Sequence, residues 1–61
     1  MNLTPAERAV FWWAGCGFSA KWIARRLTLS PRTVETHLNN IRRKTGAIDR
    51  DDLIEMARGM R

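Results

Sequence analysis

The chain is short of almost everything that catalysis or covalent stapling needs. Among its 61 residues are one cysteine, Cys16, one histidine, His37, no tyrosine, and six carboxylates against eleven lysines and arginines. A single cysteine cannot close an internal disulfide, so a reducing compartment is expected, and Cys16, set between two glycines, reads as a small buried apolar residue. One histidine and one cysteine make no metal-ligand set, and no carboxylate pair suggests a general acid and base. The chain is therefore read as a non-enzyme that uses no metal and no cofactor. No run approaches the ~18 apolar residues of a membrane span, and no basic stretch leads into an apolar one at the N-terminus, so neither a membrane segment nor a signal peptide is expected. A chain this short buries only roughly 60% of its unfolded surface, which leaves a thin core and little room for a small-molecule site.

What is present is positive charge, and its placement says more than its total of +5. Over residues 1–20 Glu7 and Arg8 cancel. Lys21, Arg25 and Arg26 make 21–30 strongly basic, and Arg32, Arg42, Arg43 and Lys44 against Glu35 make 31–48 equally so. From Asp49 onward Asp49, Asp51, Asp52 and Glu55 outweigh Arg50, Arg58 and Arg61. The positive field thus sits on the middle of the chain, where a phosphate backbone would have to be met.

The helical punctuation is dense. Thr4-Pro5-Ala6-Glu7 is a capping box with proline at the first helical position, followed by Val10, Phe11 and Ala14 at helical spacing with Trp13 beside them. Gly15 and Gly17 end this helix near residue 15, Gly17 being suited to positive φ. Ser19 caps a second helix, about 20–27, with Ile23, Ala24 and Leu27 inward and Ala24 small where two helices cross closely. Thr28 and Leu29 make a corner, and Ser30-Pro31 opens a third helix, about 31–45, with Val34, Leu38 and Ile41 on one face and Gly46 as its stop. Asp49 caps a fourth, about 50–59, with Asp51 and Asp52 favoured by the dipole of its first turn and Leu53, Ile54, Ala57 and Met60 on its apolar side. With no strand signal, repeat or linker, residues 1–61 read as a single all-α domain of four helices.

The corner between the second and third helices is short enough to force an angled pair, the arrangement of a DNA-reading helix-turn-helix. Turning Val34, Leu38 and Ile41 inward turns Arg32, Glu35, Thr36, Asn39, Asn40 and Arg43 outward. That outer set can read bases. Glu35 can accept from a cytosine amino group, Asn39 can pair two-pronged with adenine, the Thr36 methyl can touch a thymine methyl, and Arg32 can reach guanine or phosphate. Lys21, Arg25, Arg26, Arg42, Arg43 and Lys44 suit phosphate contacts that set register without reading sequence. His37 lies beside the core face and reads as mostly structural.

On these residues the chain resembles the LuxR/GerE-type helix-turn-helix domain from Leu3 to Met60. The resemblance is carried by LTPAE at Leu3–Glu7, Gly17, the run SAKWIARRL at Ser19–Leu27, and most specifically SPRTVETHLNNIRRKTG at Ser30–Gly46. It implies a four-helix fold with the third helix in the major groove and the fourth supplying a dimer contact. Positions matching Glu35, Thr36 and Asn39 would read bases, and those matching Lys21, Thr33 and Lys44 would lie near phosphates. Thr45 stands where that family usually has an aliphatic residue, and Trp12 and Trp22 where it is normally polar.

The function implied is a bacterial or phage-encoded, cytoplasmic transcription regulator acting on double-stranded DNA. One such domain reads few base pairs, so two copies on half-sites about one helical turn apart are expected, in contact through Ile54, Ala57 and Arg58. An alternative is a protein-binding antagonist of a related regulator or of RNA polymerase. It would act through Trp12 and Trp22, which the helical pattern places on exposed faces where an apolar patch would mark a partner site; the competing reading has each ring covering a neighbouring groove.

Overall fold

A computed structural model describes residues 2–59 of the chain. Four helices follow one another: α1 Pro5–Gly15, α2 Ala20–Leu27, α3 Pro31–Thr45 and α4 Arg50–Arg58. Among the described residues there is no strand. Met60, read as part of the apolar side of α4, lies outside the described residues.

Each helix starts where a side chain can satisfy its orphaned amides. Thr4 and Glu7 form the full capping box: Glu7 N–H donates to Thr4 Oγ1 at 3.1 Å and Thr4 N–H donates to Glu7 Oε1 at 2.9 Å. Ser19 accepts from Trp22 N–H, Ser30 from Thr33 N–H and Asp49 from Asp52 N–H. At the start of α4 the exchange runs one residue further back, because Asp52 Oδ2 accepts from Ile48 N–H at 3.1 Å.

The helix ends are less uniform. Gly46 closes α3 in the left-handed region at φ 78°, with its N–H bonded to Arg42 O. Gly17 takes φ 91° two residues beyond α1. Thr28 closes α2 at φ 57°, ψ 47°, a conformation costly for a β-branched residue. It is held there because Leu29 N–H reaches back to Ala24 O at 2.7 Å, the six-residue closure that a left-handed helix end permits.

The core is one cluster. Val10, Phe11, Ala14, Ile23, Ala24, Val34, Leu38, Ile41, Ala47, Leu53 and Ala57 are buried in it. The face predicted for each helix is the face that turns in, with Ala24 buried on α2. Helix α1 packs mainly on α4 and α3, and α2 packs on α3.

Gly15 is more than a helix stop. A Cβ at this position would stand 2.6 Å from Ala57 Cβ and 3.2 Å from Ala57 C, so its missing side chain is what lets α1 and α4 approach. The same contact corrects the reading of Ala57 as a dimer residue: it is 2% exposed and spent on α1. Cys16 is also corrected, since it caps α1 from an exposed position rather than from the core.

The aromatic residues pack as a second, shallower layer. Phe18 and Trp22 stack with centroids 3.8 Å apart, and Trp13 meets each edge-on, at 5.7 and 5.2 Å. Arg26 places its guanidinium 5.7 Å from the Trp13 centroid. Trp13, Phe18 and Trp22 are each half-buried against the core. The two edge-on pairs satisfy the ring quadrupoles, and the whole layer extends a thin core.

Candidate nucleic-acid interface

The surface is built from the start of α3. Proline at the first helical position and a serine cap fix where the helix begins, and Thr33 adds its own hydroxyl, 2.8 Å from Ser30 Oγ. With Val34, Leu38 and Ile41 buried, helical geometry leaves Arg32, Glu35, Thr36, Asn39 and Arg43 on the exposed side, and all five are exposed. Lys21 and Arg25 are exposed on α2.

The exposed residues are not equally free. Thr36 donates its hydroxyl back to Arg32 O at 3.1 Å, which leaves its methyl as the group available outside the helix. Asn40, read as outward, is half-buried, and its Oδ1 accepts from Arg43 Nη2 at 2.9 Å. Asn39 and Arg43 line an open cleft of about 390 Å³ with Arg42, Gly46 and Ala47. Thr33 is occupied in the cap.

Two of the cations read as phosphate ligands are committed within the fold. Lys44 Nζ lies 2.7 Å from Glu7 Oε1, joining the end of α3 to the capping box of α1. That ammonium, together with the Thr4 backbone N–H, holds the Glu7 carboxyl below the ordinary glutamate range, against a smaller opposing effect of desolvation. Arg42 is half-buried and donates from Nη2 to Ile48 O at 2.8 Å, closing the loop between α3 and α4. Lys44, itself exposed, thus has an ion-pair partner within the chain, and Arg42 closes a loop. Arg26 sits over Trp13 and belongs with the aromatic layer.

Elsewhere the sequence-derived sites separate. Ile54 is half-buried and Arg58 exposed on α4, with Arg58 3.5 Å from Glu55 on its own helix. Trp12 and Trp22, expected on exposed faces, have different surroundings. Trp12 is 48% exposed and borders an apolar cleft with Arg8, Phe11 and Ala57, whereas Trp22 stacks on Phe18 beside Ser19, Lys21 and Arg25. His37 is half-buried with Nδ1 out of contact with solvent.

One residue of this surface escaped the sequence reading. Arg50 Nη1 stands 3.8 Å from Glu35 Oε1, and its Nη2 donates a long bond, 3.5 Å, to Phe18 O. A signal was available: an arginine at the first position of a helix opposes the dipole there and implies a partner elsewhere.

A serine-capped helix behind a tight corner, with polar and cationic residues outside and aliphatic ones inside, defines a helix-turn-helix domain of the transcription-regulating class. The chain belongs to the luxR family of bacterial regulatory proteins, whose GerE model matches residues 1–57. An HTH-type transcriptional regulator of Mycobacterium tuberculosis is 46% identical over 56 residues, covering 92% of this chain and 6% of its own length. A transcriptional activator protein of Bradyrhizobium diazoefficiens is 44% identical, over 92% of this chain and 23% of its own. The transcriptional regulatory protein FixJ of the same organism is 38% identical, over 92% and 27%. The chain thus spans between 6% and 27% of the lengths of these relatives. No solved structure matches it.

Proposed function

We propose that the chain is the sequence-reading DNA-binding unit of a bacterial transcription regulator, with the N-terminal half of α3 entering the major groove. The observation that carries the reading is the pairing of a rigidly capped helix start with an exposed run of Arg32, Glu35, Thr36 and Asn39 on its outer side. Asn39 is the two-pronged adenine reader. Glu35 accepts from a cytosine amino group, the Thr36 methyl touches a thymine methyl, and Arg32 reaches guanine or a flanking phosphate. Lys21, Arg25 and Arg43 set the register on the phosphate backbone, with Thr33 beside them.

Two copies act together on half-sites one helical turn apart, since so few base edges per copy give little discrimination. Their contact is on α4 through Ile54 and Arg58. The names of the relatives, which include a transcriptional activator and several transcriptional regulators, support this class of function. The antagonist reading keeps only Trp12 as a well-exposed aromatic, since Trp22 is drawn into the stack with Phe18.

Selection of the bound fraction from a random-duplex pool, with binding followed by fluorescence anisotropy at two salt concentrations, tests the proposal. Recovery of a two-fold symmetric site, with affinity falling steeply in salt, is the expected result. Failure to bind any duplex at low salt would contradict it and favour a protein partner at Trp12.

A further inference from the structure

We propose that Arg50 is a positioning residue for base readout by Glu35, an inference that rests on the DNA-binding reading above. Arg50 occupies the first position of α4, where the dipole and unpaired amides disfavour a cation. Its guanidinium leaves that end and spans the gap to two other elements. One arm points at Phe18 O in the segment between α1 and α2, at 3.5 Å, and the other at Glu35 Oε1 on α3, at 3.8 Å. Glu35 and Arg50 share a cleft of about 100 Å³ with Leu38, Asn39, Arg42 and Leu53, so the pair lies beside Asn39 over the apolar side chains of Leu38 and Leu53; Arg42, the other cation there, is spent on Ile48 O.

The placement answers a physical problem. A carboxylate on a helix that enters the groove is repelled by phosphate and, unrestrained, must lose rotamer freedom before it can accept from a base. Arg50 removes both costs: it supplies the counter-charge and holds the carboxylate on one side of the helix. In water such a half-exposed pair adds little to stability. In a groove that excludes water the same pair strengthens, so its effect falls on specificity rather than on folding.

The test uses the site recovered by selection, varied at every position, with wild-type, Arg50→Gln, Glu35→Gln and doubly substituted chains. Arg50→Gln is expected to melt with the wild type while its preference at the single base pair opposite Glu35 flattens roughly three- to tenfold. The double variant should be no flatter there than Glu35→Gln alone, because the two act as a unit. Arg50→Lys, which keeps the charge but not the fork, should fall between wild type and Arg50→Gln, and it gives the same reading should Arg50→Gln fold poorly. Uniform weakening on all sequences, with the salt slope reduced by ~1, would overturn the proposal by making Arg50 a phosphate contact. An unchanged preference would also overturn it. Wild-type chain that binds no duplex would instead overturn the DNA-binding reading itself, before any variant is compared.

Discussion

The two ends of α3 carry the same kinds of residue and use them differently. At the N-terminal end Arg32, Glu35, Thr36 and Asn39 stand exposed on a helix whose start is locked by Ser30. At the C-terminal end Arg42 closes the loop onto Ile48 O, Lys44 is paired with Glu7, and Thr45 donates to Ile41 O at 2.8 Å. One end is held ready and the other holds. The lesson is that the members of one basic run differ in their partners, because a lysine bonded 37 residues away also ties two helices together.

Substitutions at the two ends should therefore separate stability from recognition. The largest effect is expected on the holding side, at the α1–α4 crossing. Gly15→Ala forces a methyl against Ala57 Cβ and should cost roughly 1–3 kcal/mol in urea or thermal unfolding. Ala57→Gly in the same chain should recover part of that loss, and base preference should be unchanged in both. On the recognition side Asn39→Ala should lose roughly 1–3 kcal/mol of discrimination at one base pair while melting with the wild type.

The acid limb of stability offers a finer comparison. The Glu7 carboxyl titrates lower in the folded chain than in the unfolded one, so its stabilisation is complete above the ordinary glutamate value of about 4.3 and is lost as pH falls through the lower folded value. Thermal unfolding followed from neutral pH to pH 3 should show this loss in the wild type and a flatter limb in Glu7→Gln. The smallest effect is expected at the corner, where Thr28→Gly relieves a left-handed β-branched residue and should stabilise the fold by at most about 1 kcal/mol.

What could be read in the sequence was local. The four caps, the helix bounds and the inward faces follow from residues within one or two turns of each other, and the positions of Thr4, Ser19, Ser30 and Asp49 in the structure are those the sequence predicts. The family was legible for the same reason, since its motif is a run of such signals. What escaped depends on which elements meet. The sequence marks Gly15 as a stop but cannot show that Ala57 arrives beside it. Lys44 looks like any other member of a basic run until Glu7 is placed next to it. Trp22 falls on a face the helical period makes polar, and only the fold of the α1–α2 segment brings Phe18 over it. The candidate base-reading residues follow from the face opposite the core, and their partners, Arg50 above all, do not.

Amide chemical-shift mapping on the folded chain would test the division of labour most directly, using a duplex that carries one half-site of the selected sequence so that a second copy is not recruited. The account predicts that shifts concentrate at Lys21, Arg25, Ser30, residues 32–39 and Arg43, with Glu7, Gly15, Lys44 and Ala57 nearly still. Shifts centred on Trp12 and α4, with the start of α3 unmoved, would contradict it.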